Sequence, residues 1–301
     1  MEVGVCCSLD NASLAGDKGF DYVELSASEM CAMEPWDPSV YDGLNVKTLN
    51  LLLPGGVSIW TVPPAIVTAQ LEKLLPRAKE VGVEVAVFGG GGQRRNPFTP
   101  ELWEARPIAF RACSSPESAF GKLVYTALCE LYDEDFDLFL ETFAEKAPDS
   151  NPTPEDFHQQ MREAVRRWMS PLIAPEGLNR TETDLGTDTG AFANTLAYYG
   201  IPYTADAYHI LKEWDFDGRE GGLSAPSEEY WAAQLPFAPV HAHIADLPDR
   251  LAPKADDLML SGFFRRLKEL GYEGRVSLEV RTPFDELVGA ADRVRALIQN
   301  S

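Results

Sequence analysis

The chain has 301 residues, 45% apolar and 24% charged, and its 26 basic and 47 acidic side chains leave a formal net charge of −21. This composition excludes a collagen, a coiled coil and a largely disordered chain, and the length fits one barrel-sized domain that needs no disulfide or metal to complete its core. The negative excess opposes phosphate backbones and anionic membranes, so neither nucleic acid nor membrane is an expected partner.

No run approaches the length of a spanning helix, and the first residues read as a strand rather than a leader. Five cysteines, two of them the adjacent Cys6 and Cys7, read as reduced thiols, and the expected location is the cytoplasm.

Short β-rich runs alternate with longer amphipathic ones, the order of parallel strands joined by crossover helices. Residues 3–7 read as the first strand, followed by a helix with Asp10 or Asn11 as N-cap and Gly19 as its stop. Residues 21–25 and 46–53 read as the second and third strands. A helix is expected over 64–80, with Ile66, Leu71, Leu74, Leu75 and Ala78 on one face and Pro76 placed to kink or end it. Residues 83–88, apolar nearly throughout, read as a fourth strand buried on both faces. Strands are expected again at 171–176, 203–208, 239–244 and 275–280, with helices over 187–199, 226–234 and 261–270 between them and a last helix over 284–299. This pattern points to a (β/α)8 TIM barrel. The alternative, an open doubly wound sheet, lacks a Gly-x-Gly-x-x-Gly after the first strand. Between Pro97 and Pro171 no strand is convincing, and 108–151 reads as a mostly helical insertion between strands 4 and 5 of a single 1–301 domain, suited to a lid or a homo-oligomer contact.

The chain has four histidines. His158 reads as a surface residue of a helix, whereas His209, His241 and His243 lie at or just past the ends of strands 6 and 7. At the C-terminal ends of the last four strands stand Glu176, Asp206, His243 and Glu279, and in a parallel barrel these ends open on one face. Two glutamates, an aspartate and one imidazole suit Mn²⁺, Mg²⁺ or Co²⁺ better than a structural Zn²⁺. Carboxylates at strand ends are also common as solvated loop residues. Glu279 is harder to dismiss, because alternation in VSLEV puts it with Ser277, and a carboxylate inside a barrel needs a cation or hydrogen bonds. His241 and His243 share one face of strand 7. His243, nearer the strand end, is the expected ligand, and His241 a packed neighbour. After the glycine run 89–92, Arg94 and Arg95 read either as phosphate contacts or as solvated side chains.

Several blocks, in order, carry a family resemblance: GFDYVELSASEM, LNLLLPGG, VFGGGGQRRNP, EGLNRTETD, DAYHI, HAHIADLPDRLAP and GYEGRVSLEV. Together they cover most of the chain outside the insertion. The sequence resembles the xylose isomerase-like TIM-barrel superfamily, in particular the sugar phosphate isomerase/epimerase group that includes ketose 3-epimerases and hydroxypyruvate isomerases. The resemblance implies one divalent ion held by Glu176, Asp206, His243 and Glu279. It makes Glu176 and Glu279 the acid/base pair, and it puts Glu182, His209 and Arg250 on the substrate. The implied reaction is proton transfer next to a carbonyl through a metal-stabilised enediolate, on a sugar or a hydroxy-keto acid. Two rivals share this site: an inosose-type dehydratase of a cyclic polyol ketone, and a non-catalytic sugar-binding barrel. A nuclease of the same barrel class is disfavoured by the few histidines and the charge of −21.

Overall fold

Alternation along each strand decides which side chains enter the barrel and which meet the helices. The computed structural model describes residues 1–55, 64–90, 173–182, 188–198, 200–216 and 225–301. The expected insertion at 108–151, His158, Arg94 and Arg95 lie outside the described residues. Eight strands, β1 (Glu2–Cys6), β2 (Tyr22–Ser26), β3 (Val46–Asn50), β4 (Val85–Phe88), β5 (Ile173–Pro175), β6 (Thr204–Asp206), β7 (His241–Ile244) and β8 (Arg275–Leu278), form one sheet in the order β5-β4-β3-β2-β1-β8-β7-β6. Every paired neighbour is parallel. The outer strands β5 and β6 meet through a parallel bridge between Glu176 and Thr204, which brings the sheet round into the expected (β/α)8 barrel.

The main core lies between barrel and helices. Val3, Val5, Val23, Leu25, Leu49, Ala86, Phe88, Ala205, Ala242, Ile244, Val276 and Leu278 belong to one buried cluster with helix residues such as Leu74, Phe263, Phe264 and Val294. The alternate positions point inward and are mostly polar: Glu24, Thr48, Thr204, Asp206, His241, His243 and Ser277 are all buried. Val85, Val87 and Ala174 form a separate small apolar cluster. The fourth strand is thus buried on both faces, as its apolar run predicts.

Helices α1 (Leu9–Ala12), α2 (Ala27–Ala32), α3 (Pro64–Val81), α4 (Thr189–Tyr198), α5 (Ala207–Phe216), α6 (Glu228–Gln234), α7 (Leu258–Glu269) and α8 (Ala290–Asn300) are described. None is long and apolar enough to cross a membrane. Several boundaries differ from the sequence expectation for identifiable reasons. The first helix begins at Leu9 after Ser8, ahead of Asp10 and Asn11, and Gly19 closes a following 3-10 turn at φ 84°. Pro76 does not end α3, which runs on to Val81. Buried Leu71, Leu74 and Ala78 hold its two halves on the core, and Arg77 Nη1 donates to the carbonyls of Met30, Cys31 and Met33 at 2.9–3.0 Å. The last helix is split, with a 3-10 turn at Phe284–Glu286 and α8 starting after Gly289 at φ 67°.

Gly4 is required by packing. A Cβ there would overlap the ring of buried Tyr22, whose hydroxyl reaches Ser277 Oγ at 2.9 Å inside the barrel. A rigid ring anchored at its far end has nowhere to retreat, so Gly4→Ala is expected to cost about 1–3 kcal/mol of stability. Denaturant unfolding checks this, and an unchanged midpoint would contradict the packing account.

Candidate active site

Each of the four strand-end residues reaches the barrel mouth by a different local device. Glu176 follows the short β5, and its N–H donates to Phe88 O at 3.1 Å. Asp206 ends β6 and caps α5: its Oδ1 accepts from the backbone N–H groups of Tyr208 at 2.6 Å and His209 at 3.2 Å. This cap is why strand 6 stops at Asp206 instead of running to 208, and why His209 sits in the first turn of a helix. His243 lies in β7, paired on either side with Asp206 and Ser277. Glu279 stands one residue past β8, with its N–H bonded to Ile244 O at 3.2 Å.

The structure brings these four together. One ligand atom from each of Glu176, Asp206, His243 and Glu279 lies within 4.8 Å of all the others. His243 Nδ1 is 2.7 Å from Glu176 Oε1 and 3.1 Å from Glu279 Oε2. Gly89 makes room for this, because a Cβ there would overlap Glu176 Oε2. A carboxylate tip can swing aside, so Gly89→Ala is expected to leave the fold standing but displace Glu176 from His243. A thermal melt beside a crystal structure of the variant would check it, and a Glu176 that stays in place would contradict this packing.

Charge sorts the two glutamates. Burial raises the Glu176 carboxyl above its ordinary value; His243 pulls it down without cancelling the effect, and Glu279 and Asp206 push it up further. At Glu279 burial also pushes upward, but Arg250 and then His243 outweigh it and hold the group at about 2. His243 is raised well above the usual imidazole range: burial opposes this, and the carboxylates of Glu24 and Glu176 outweigh burial.

The three expected substrate contacts surround the same mouth. Arg250 Nη2 is 2.6 Å from Glu279 Oε2 and 3.6 Å from Asp206 Oδ2, and Nη1 is 3.7 Å from Glu182 Oε1. Its backbone sits at φ 59°, a left-handed conformation that costs a non-glycine residue energy. That conformation is held by bonds from Arg250 N to Asp246 O (3.0 Å) and from Arg281 N to Arg250 O (2.7 Å), while the guanidinium lies 4.9 Å from the centre of the Tyr208 ring. His209 Nε2 is 3.5 Å from Asp206 Oδ2, and Nδ1 is 3.9 Å from Glu182 Oε1.

Sequence reading missed two members of this site. Asn179 Nδ2 lies 2.7 Å from His209 Nδ1 while its Oδ1 accepts from Thr181 N at 3.0 Å. With the amide oxygen so engaged, the amide N–H faces Nδ1, and the His209 proton belongs on Nε2, toward the mouth. Glu213 of α5 binds the backbone N–H and the guanidinium of Arg180 and so fixes this loop. The other missed residue is Glu24 on β2, fully buried, between His241 Nε2 (2.9 Å) and His243 Nε2 (2.8 Å). His241 therefore lies beside Glu24 and outside the four-residue group, as expected of the packed neighbour. The signal for Glu24 was present in DYVEL, where alternation sets Tyr22 and Glu24 against Val23 and Leu25.

A divalent ion fits the four-residue group. Asp206 is 1% exposed, and its Oδ2 has no hydrogen-bond partner. His209 and Arg250, at 3.5 and 3.6 Å, stand beyond good hydrogen-bond range of it. A buried carboxylate oxygen with no hydrogen bond, and with Arg250 at 3.6 Å shared among three carboxylates, is better satisfied by a further cation. Three carboxylates and one imidazole are the donors a hard or borderline divalent ion takes.

No family model matches the sequence, and no curated protein matches it. Solved structures do. The 3-keto-D-glucoside 4-epimerase of E. coli superposes with a TM-score of 0.57 at 18% identity, covering 99% of each chain. A D-psicose 3-epimerase solved in the presence of D-fructose gives 0.56 at 12%, covering 99% of this chain and 95% of that one. A xylose isomerase domain protein of Alicyclobacillus acidocaldarius gives 0.56 at 16%, covering 99% and 98%. An AP endonuclease, family 2, from Brucella melitensis shares the barrel too, with 0.54 at 15% and 93% of each chain. At these identities the likeness is one of fold: the chain shares the (β/α)8 TIM-barrel architecture of these structures.

Proposed function

We propose that this xylose isomerase-like barrel is a divalent-metal-dependent sugar isomerase or epimerase that moves a proton on the carbon next to a carbonyl. One observation carries the reading: Glu176 and Glu279, from strands on different sides of β7, converge on His243 and Asp206, whose Oδ2 makes no hydrogen bond. Glu176, Asp206, His243 and Glu279 would hold the ion, with Mn²⁺ the first candidate and Mg²⁺ or Co²⁺ the alternatives. When bound, the ion supplies Lewis acidity that polarises a carbonyl and steadies the negative charge left by proton removal. The remaining work belongs to the side chains.

One glutamate takes the proton from the carbon next to the carbonyl; the other returns a proton from its own side, giving the epimer, or to the neighbouring atom, giving the isomer. Their environments already differ, one raised by burial and the other held low by Arg250. His209 donates from Nε2 to a substrate oxygen, while Arg250 and Glu182 orient further hydroxyls or a carboxylate. The substrate class is a small sugar or hydroxy-keto acid. The endonuclease neighbour does not alter this reading, because a net charge of −21 repels a phosphate backbone.

The test is solvent exchange. Mn²⁺-loaded protein is incubated in D₂O with a panel of ketoses and hydroxypyruvate, and products are read by NMR and mass spectrometry. The expected result is deuterium at the carbon next to the carbonyl, with no loss of water. Loss of water from a cyclic polyol ketone would replace this reading with the dehydratase. Ligand binding with no exchange on any substrate would replace it with a sugar-binding barrel.

A further inference from the structure

Glu24 is a carboxylate with 0% exposure and is engaged at both oxygens. Oε1 lies 2.8 Å from His243 Nε2, and Oε2 lies 2.9 Å from His241 Nε2 and 2.7 Å from Ser277 Oγ. Ser277 Oγ also meets Tyr22 OH at 2.9 Å. A carboxylate only accepts, so Ser277 donates to Glu24, the tyrosine donates to Ser277, and each histidine presents an Nε2–H to Glu24. The chain of donors runs one way and ends on the charged group.

This arrangement has a consequence at the opposite edge of the His243 ring. With Nε2–H held by Glu24, Nδ1 is the ring nitrogen left to offer a lone pair to a cation, and it faces Glu176 and Glu279 at 2.7 and 3.1 Å. A neutral acceptor would suffice to satisfy Ser277 and Tyr22. Burying a full negative charge here is costly by itself. What the charge adds is a fixed tautomer, a fixed ring plane and a more basic Nδ1.

We propose that Glu24 is the positioning residue of His243, setting the affinity of the mouth for its divalent ion without touching ion or substrate. The proposal rests on the metal-site reading above. Glu24 could instead be a ligand, since Cys6 Sγ, Glu24 and His243 also lie within 4.8 Å of one another. That role would require Glu24 to give up bonds from three donors, and none of the described residues around it offers a replacement.

The experiment titrates Mn²⁺ into metal-free wild type, Glu24→Gln and Ser277→Ala by calorimetry. It also records imidazole ¹⁵N spectra of the Mg²⁺-saturated proteins, assigned with a His243→Asn variant. Glutamine keeps the size of Glu24 and removes the charge. Its affinity for Mn²⁺ is expected to fall by about 10–100-fold, with circular dichroism unchanged. Ser277→Ala, which removes a donor but leaves the His243 contact, is expected to bind close to wild type. The wild-type spectrum should show His243 protonated on Nε2 and bare on Nδ1, and this decides the matter even where Glu24→Gln does not fold. Wild-type affinity in Glu24→Gln, or an Nδ1-protonated His243 in the wild type, overturns the proposal alone. A wild type that binds no Mn²⁺ overturns the metal reading and this proposal together.

Discussion

Glu279→Gln is expected to lower kcat by about 100- to 10,000-fold while leaving the fold unchanged. The substitution keeps shape and volume at a half-buried position. The backbone partners stay: Glu279 N still donates to Ile244 O, and Glu279 O still accepts from Arg250 Nε at 3.2 Å. What disappears is an anionic oxygen 3.1 Å from His243 Nδ1 and 2.6 Å from Arg250 Nη2. An amide can neither take a proton from carbon nor balance a cation. Glu176→Gln should behave alike, because its Oε1 holds the matching place 2.7 Å from His243 Nδ1. The check is kcat for both variants beside their circular dichroism. Wild-type turnover in either would remove that residue from the acid/base pair.

Arg250→Met is expected to destabilise the metal-free protein by about 3 kcal/mol, and added Mn²⁺ should recover much of that. The guanidinium side chain is 13% exposed and lies within 4.0 Å of carboxylates from Glu182, Asp206 and Glu279. Without it, three carboxylates crowd one mouth with no counter-charge from this position. Methionine fills similar volume over the Tyr208 ring, so lost packing is a small part of the effect. A bound ion replaces the missing positive charge, which couples the two cations. The pH dependence has a definite sign. Glu279 sits at about 2 in the fold against an ordinary 4.5, with Arg250 the foremost cause of the lowering. The stabilisation is therefore fully present above pH 4.5 and is lost as pH falls toward about 2. Thermal melts in EDTA across that range, with and without the substitution, should converge at the acid end. Equal melting temperatures at neutral pH would contradict the account.

The sequence made the barrel readable because each strand's alternation and each turn signal is local. β4, apolar at every position, and VSLEV, with Glu279 on the face of Ser277, could be placed by counting in twos. The four strand-end residues were legible for the same reason: parallel topology carries all C-terminal ends to one face. Residues whose meaning depends on register across the barrel were not legible. Glu24 and His243 are 219 positions apart and meet only because β2 and β7 face one another across the interior. Alternation alone could place Glu24 inside, as it did Glu279, but could not supply its partners. Asp206 was read as a strand residue, and it does end β6; what that reading could not show is that one of its oxygens caps α5 and the other makes no hydrogen bond. That division of labour depends on where the helix begins, a boundary that composition does not mark.

The most direct measurement is the metal content of the protein after reconstitution with Mn²⁺ and desalting, read by mass spectrometry for wild type and for a Glu176→Gln, Glu279→Gln double variant. About one ion per chain is expected in the wild type, as for one four-ligand site, with loss of that ion in the variant. A wild type that retains no ion, or a double variant that retains it fully, would contradict the claim that these strand ends form a metal centre.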